Sequence, residues 1–121
     1  MSDPIPTDPQ AIGRIRADLN EYARLLREGG HLDTDAQKTL ASLLEELGTE
    51  LEPAAAPSEQ TVHLAELTLQ LARSLHEQQQ DKLLTSARDG LAEAAHWAET
   101  HAPVATGIVG RFIDVLNGIG I

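Results

Sequence analysis

The chain has 121 residues and a formal net charge of −10, with no cysteine and one residue each of Phe, Trp and Tyr. This length suffices for one domain, and the lack of thiols excludes disulfides, thiolate metal sites and a cysteine nucleophile. Binding to a phosphate backbone needs clustered basic side chains, and the net negative charge of the chain opposes such binding. We therefore expect no nucleic-acid partner.

The scarcity of aromatic residues predicts the fold class. The interior has to be filled by Leu, Ile, Val and Ala, a composition that suits packed helices, so we predict an all-α fold. Residues 1–8 are polar, are broken by prolines and lack the basic and apolar segments of a signal peptide. We expect them to form a disordered tail, and we expect the protein to be cytoplasmic.

Residues 9–52 are predicted to form a helical hairpin. The first helix begins at Pro9, ends before Gly29 and carries an apolar face formed by Ile12, Ile15, Leu19, Tyr22 and Leu26. In the second helix, Thr34 with Gln37 fits a capping box. Its apolar face is formed by Ala36, Leu40, Leu43, Leu44, Leu47 and Leu51. The short connection between the helices favours antiparallel packing.

Residues 53–57, Pro-Ala-Ala-Ala-Pro, are predicted to be a linker, because proline cannot continue a helix interior. Ser58 is placed to cap a third helix. The polar run 76–82 is either a turn or a solvent-exposed part of one helix. Because Gln and Glu propagate helices well, we predict one long continuous helix over residues 59–99. Residues 58–121 would then hold this helix and a C-terminal helix in one domain.

The long helix is predicted to be apolar on two opposite faces in its first half. One face runs along the whole helix and is formed by Val62, Ala65, Leu69, Leu83, Ala87, Leu91, Ala94 and Ala98. The opposite face is formed by Leu64, Leu67, Leu71 and Leu75. A helix that is apolar on two sides needs neighbours on both. We therefore predict that these four leucines form the interface of a homo-oligomeric helical bundle of coiled-coil type, most simply a dimer.

The C-terminal helix, predicted from Pro103 to Gly118, has an apolar face formed by Ala105, Ile108, Val109, Phe112, Ile113 and Leu116. The helix-breaking residues Gly107 and Gly110 indicate the close approach of another backbone. The helix is short, and its central charges argue against a membrane span. Its single Arg argues against binding to an anionic lipid surface. We expect this helix to be buried in the bundle and not to bind a membrane.

Two segments resemble the small bacterial family called domain of unknown function 4404. They are IGRIRADLNEYARLLREGGHLDTDAQKTLASLLEELGTELE, residues 12–52, and LLTSARDGLAEAAHWAETHAPVATGIVGRFIDVLNGIGI, residues 83–121. The shared signature is a helical hairpin, a polar linker and a closing segment with His101, Pro103 and a Gly120-Ile121 end, with Ala102 as an extra residue. The resemblance implies a helical fold and carries no active site.

Glu93 with His96 has the Glu-x-x-His spacing of ferritin-like carboxylate proteins, in which two metal ligands share one helix face. A metal site needs further inward carboxylates, and on the predicted helix this pair points away from the Leu91 face, toward water. We assign no catalytic, cofactor or metal residue. The sequence favours a non-enzymatic, self-associating structural or interaction protein, with an unidentified protein partner as a further possibility. The alternatives are a ferritin-like metal-binding subunit and a small regulatory subunit of an enzyme.

Overall fold

The computed structural model describes residues 9–29, 33–78 and 80–120, which form five α-helices and one 3₁₀ turn. The helices are α1 (Pro9–Glu28), α2 (Thr34–Thr49), α3 (Glu59–His76), α4 (Asp81–Ala98) and α5 (Pro103–Gly118), and the 3₁₀ turn is Pro53–Ala55. No strand occurs in these ranges, so the all-α prediction is confirmed for them. The predicted tail, residues 1–8, lies outside the described residues.

α1 packs against α2 and α3 through one apolar face, on which Ile15, Leu19, Ala23 and Leu26 are buried. The cap of α2 differs from the predicted capping box. Asp33 is the N-cap, and its Oδ2 accepts a hydrogen bond from the backbone N–H of Ala36 at 3.2 Å. The Gln37 side-chain amide donates instead to the carbonyl oxygen of Gly29. Gln37 thereby connects the first turn of α2 to the end of α1.

The single long helix predicted over residues 59–99 is wrong, because the chain turns between α3 and α4. Glu77 is the C-cap of α3, Gln78 adopts a left-handed conformation with φ of 57°, and Gln80 is the N-cap of α4. α4 folds back and packs against α3. The helix preference of Gln and Glu is worth only tenths of a kcal/mol per residue, so the burial gained by packing two helices together outweighs it.

The core is formed by side chains from all five helices. α5 packs against α2, α3 and α4, and it closes the bundle between the two helix pairs. The largest fully buried side chains are Phe112, Leu19, Leu26, Leu40, Leu44, Leu47, Leu51, Leu64, Leu71, Leu75, Leu91 and Leu116. The scarcity of aromatic residues is thus matched by a core built mainly of leucine and alanine, with Phe112 as its largest member.

Ser58 caps α3 as predicted and also joins distant parts of the chain. Its Oγ accepts a hydrogen bond from the backbone N–H of Thr61 at 3.2 Å. The same hydroxyl donates to the carbonyl oxygen of His101 at 3.3 Å. His101 lies in the connection between α4 and α5. The start of α3 is therefore fixed to the turn that positions α5.

Candidate interaction surface

The four leucines predicted to form an interface lie largely inside the folded chain. Leu64 and Leu71 are fully buried, Leu75 is buried, and Leu67 is half-buried against the core. Because α1, α4 and α5 all pack against α3, both of its apolar faces are covered within one chain. Apolar residues on opposite faces of α3 therefore do not require a second copy. Of the four, Leu67 is the one that reaches the surface, and self-association itself stays a prediction.

Among the residues that the structure describes, three large hydrophobic side chains are exposed instead. Leu83 near the start of α4 is 55% exposed, Trp97 near its end is 76% exposed, and Val104 in the first turn of α5 is 58% exposed. Single exposed apolar residues are common on protein surfaces, but a tryptophan with three quarters of its surface in water is not. Trp97 is therefore the most unusual exposed side chain among them.

Trp97 borders an open groove between α4 and the first turns of α3. The groove has a volume of about 310 Å³ and is lined by Gln60 and His63 from α3 and by Ala94, Trp97 and Ala98 from α4. The ring of His96 meets the ring of Trp97 edge to face, with centroids 5.8 Å apart. One imidazole, that of His96, therefore contacts the exposed indole, and the imidazole of His63 lines the same groove.

The predicted metal pair lies on the solvent side of α4. Glu93 and His96 are both exposed, and the His96 ring is directed at Trp97. Among the described residues, no three His, Asp or Glu side chains come together in a group that could hold a metal ion. The inward carboxylates that a ferritin-like site requires are therefore not gathered around this pair in the described part of the chain.

A second groove, of about 400 Å³, lies between α2 and α5. It is lined by Glu46, Thr49, Glu50, Pro103, Val104, Gly107, Ile108 and Arg111. A Cβ added to Gly107 or Gly110 would have no atom within 4 Å. The expectation that these glycines admit a close neighbouring backbone is therefore wrong for the described chain, and the apolar face of α5 packs through its larger side chains.

Ion pairs between helices neutralise part of the acidic charge on the surface. Glu45 and Glu46 lie on α2, and they receive cations from different helices: Arg27 of α1 at 2.6 Å and Arg111 of α5 at 3.1 Å. The hydrogen bond that the Arg27 guanidinium donates to the Glu45 carboxylate raises the pKa of Arg27 above its usual value. All four side chains are more than 40% exposed, so each pair contributes at most about 1 kcal/mol to stability. Their effect is to neutralise part of the acidic α2 surface.

The exposed residues of α4 could not be found by the sequence pattern. A continuous helix over residues 59–99 placed Leu83, Ala87 and Ala94 on the apolar face, together with Leu91. In the structure Leu84, not Leu83, is buried with Leu91, and Leu83 faces water. Because the chain turns before α4, the rotation of α4 about its axis is set by its own packing, and it differs from the extrapolated phase.

None of the helices in the described residues is long and apolar enough to cross a membrane.

Comparison with known proteins gives a family match: the family described as domain of unknown function (DUF4404) matches residues 37–121. The match begins within α2, so it leaves out α1 and includes the whole α3–α4–α5 region. No match was found among the curated proteins or among the solved structures.

Proposed function

Because the chain belongs to the DUF4404 family, which is described without a function, we propose from its surface that it is a non-enzymatic helical protein that acts through self-association. The proposal rests on the exposure of Trp97, which is 76% accessible on an otherwise charge-rich surface. Leaving a large apolar ring in water forgoes roughly 1.5–3 kcal/mol of burial free energy, and a partner that covers the ring recovers it.

Two cavities of the described residues, one beside the start of α1 and one beside Trp97, favour a binding role over catalysis. The pocket beside the start of α1 has a volume of about 160 Å³ and is lined by Pro9, Ile12, Gly13, Arg16, Leu51, Pro53 and Pro57. Arg16 supplies the one charged group of that lining. The groove beside Trp97 contributes an amide, an imidazole and apolar atoms. General acid–base catalysis uses paired titratable groups directed at a common point, and these linings do not supply such a pair.

Light scattering coupled to size exclusion tests self-association directly. We expect the untagged chain to give a mass above that of the monomer at high concentration and to approach the monomer mass on dilution, since the exposed apolar area is moderate. A monomer mass at every concentration, with native helicity by circular dichroism, would contradict self-association. A closed oligomer with a fixed mass at all concentrations would also support it, as a tighter assembly.

A further inference from the structure

Arg16 of α1 is half-buried, and within the described residues it makes no hydrogen bond, ion pair or ring contact. The arginines that do make such contacts are Arg24, Arg27, Arg73, Arg88 and Arg111. Arg14 also lacks them, but its side chain is exposed, so its charge stays hydrated. A half-buried guanidinium has lost part of its hydration, and an anion that accepts its hydrogen bonds restores what is lost. Arg16 is therefore a cation available to an anion.

The alkyl part of Arg16 lies against the backbone of α2 at Gly48. A Cβ built on Gly48 would be 3.6 Å from Cγ of Arg16 and 3.6 Å from Oδ1 of Asn20. The lack of a side chain at Gly48 lets α1 approach α2 closely at this point. The stem of Arg16 is thus packed between the two helices, and Arg16 also lines the pocket beside the start of α1, here termed the Arg16 pocket.

Apart from Arg16, the side chains that line this pocket are apolar. The walls come from the start of α1 and from the segment that joins α2 to α3, and three lining residues are prolines: Pro9, Pro53 and Pro57. Proline has no backbone N–H, and its ring fixes φ, so these walls are stiff and their own nitrogens donate no hydrogen bond. Arg16 therefore supplies the side-chain donor of the lining.

The charge of the Arg16 pocket is opposite in sign to that of the chain. The chain has 19 acidic residues, but no Asp or Glu among the described residues lines this pocket. Glu50 and Glu52 flank Leu51 in the sequence, but Glu50 lines the groove between α2 and α5, and Glu52 is exposed. The planar guanidinium matches the two oxygens of a carboxylate, and one guanidinium neutralises one negative charge. The lining therefore complements a monoanionic carboxylate.

The size of the pocket limits the ligand to a small molecule. Its volume is about 160 Å³, and an apolar cavity of roughly 150 Å³ is large enough to bind benzene. The pocket thus has room for one ring or a short hydrocarbon chain. Small-molecule sites are typically apolar with a few polar groups that fix the orientation of the ligand. The Arg16 pocket has this composition, with a single guanidinium as the orienting group.

We propose that the Arg16 pocket binds a small apolar carboxylic acid in its ionised form. The carboxylate accepts hydrogen bonds from the Arg16 guanidinium, and the hydrocarbon part lies against Ile12, Leu51 and the prolines. This function is separate from self-association, because the pocket shares no lining residue with the groove beside Trp97. Either proposal can therefore fail without the other.

Titration of the full chain with benzoate, followed by proton–nitrogen correlation spectra, tests the site. Benzoate should shift the backbone amides of Gly13 and Leu51, which line the pocket, and should leave the indole N–H of Trp97 unchanged. For a ligand of this size we expect a dissociation constant of about 0.1–1 mM. Benzamide has the same shape without the charge, and acetate has the charge without the ring. Both should bind at least roughly tenfold more weakly.

Two variants test the guanidinium and the pocket separately. Arg16→Gln should weaken benzoate binding roughly tenfold or more, whereas Arg14→Gln, the matched control on the same helix, should leave it unchanged. Gly13→Leu should abolish binding, because a Cβ at Gly13 would meet no atom within 4 Å and the added side chain can enter the pocket. Leucine favours helix over glycine, so this variant should keep native helicity by circular dichroism.

Several results would overturn the proposal. Shifts that are absent at millimolar benzoate, or that are centred on Trp97, would show that the pocket does not take the acid. Equal binding of benzoate and benzamide, or equal binding by the native chain and Arg16→Gln, would show that the site is not selective for an anion. If the native chain binds no probe and Arg16→Gln alone lowers stability relative to Arg14→Gln, a carboxylate of residues 1–8 occupies the site instead of a ligand.

Discussion

The ring of Tyr22 on α1 meets the ring of His76 at the end of α3 edge to face, with centroids 5.9 Å apart. The Arg73 guanidinium lies over the same tyrosine ring, 5.7 Å from its centroid. α1 lies outside the residues that match the family, so this cluster joins α1 to the matched region. The contact also lies immediately before the turn that ends α3, where the chain reverses toward α4.

Tyr22→Ala should lower the free energy of unfolding by about 1–3 kcal/mol, because it removes a half-buried ring together with its aromatic and cation–π contacts. Tyr22→Phe is the control, since it keeps the ring and should cost less than half as much. Urea denaturation followed by circular dichroism gives both values. Equal losses for the two variants would show that the hydroxyl, and not the ring, is responsible.

Leu71→Glu should abolish the native fold, whereas Leu67→Glu should be tolerated with a loss of about 1–2 kcal/mol. Leu71 is fully buried in the core. A glutamate carboxylate at this position would lose its hydration without gaining an ion-pair or hydrogen-bond partner. Leu67 is half-buried, so a glutamate can reach water. Far-ultraviolet circular dichroism and thermal unfolding check this. Native helicity in Leu71→Glu would show that this face of α3 is not the core.

The positions of these leucines in the structure show what the sequence pattern could and could not predict. The helices α1, α2 and α5 follow from their apolar periodicity, and the start of α3 follows from Ser58, because caps and periodicity are local properties of the chain. The position at which α3 ends, His76, is not determined by local sequence. Residues 77–80 have helix-favouring side chains, and the turn there is consistent with the packing of α4 against α3 and α5.

The sequence pattern did not predict the exposed residues of α4, Leu83 and Trp97, for the same reason. Leu83 and Leu84 are neighbours in the sequence and differ by about 100° around the helix, so the rotation of α4 decides which one is buried. That rotation depends on contacts with α3 and α5, which a single-helix pattern does not contain. The exposure of Trp97 follows from the same rotation, since it lies on the Leu83 side of the helix.

Ser58→Ala should reduce stability by about 1 kcal/mol, because it removes the cap of α3 and the hydrogen bond to the His101 carbonyl. Ser58→Thr keeps a hydroxyl that can make both bonds, and it should retain most of the native stability. Chemical denaturation measures the difference. If both variants are as stable as the native chain, the hydroxyl makes no net contribution.

Phe112→Ala should reduce stability by about 3–5 kcal/mol, because Phe112 is fully buried and is the largest side chain of the core. Val104→Ala on the same helix should change it by less than about 0.5 kcal/mol, since Val104 is 58% exposed. Comparing their thermal unfolding tests whether α5 is part of the core. Similar melting temperatures for the two variants would mean that α5 packs loosely on the remaining helices.

The fluorescence of Trp97, the single tryptophan of the chain, reports directly on self-association. If a second copy covers Trp97, emission at high protein concentration should lie at shorter wavelength and should move to longer wavelength on dilution, as the indole returns to water. The transition should coincide with the change in mass measured by light scattering. An emission maximum that stays at long wavelength while the mass doubles would contradict the placement of Trp97 in the contact.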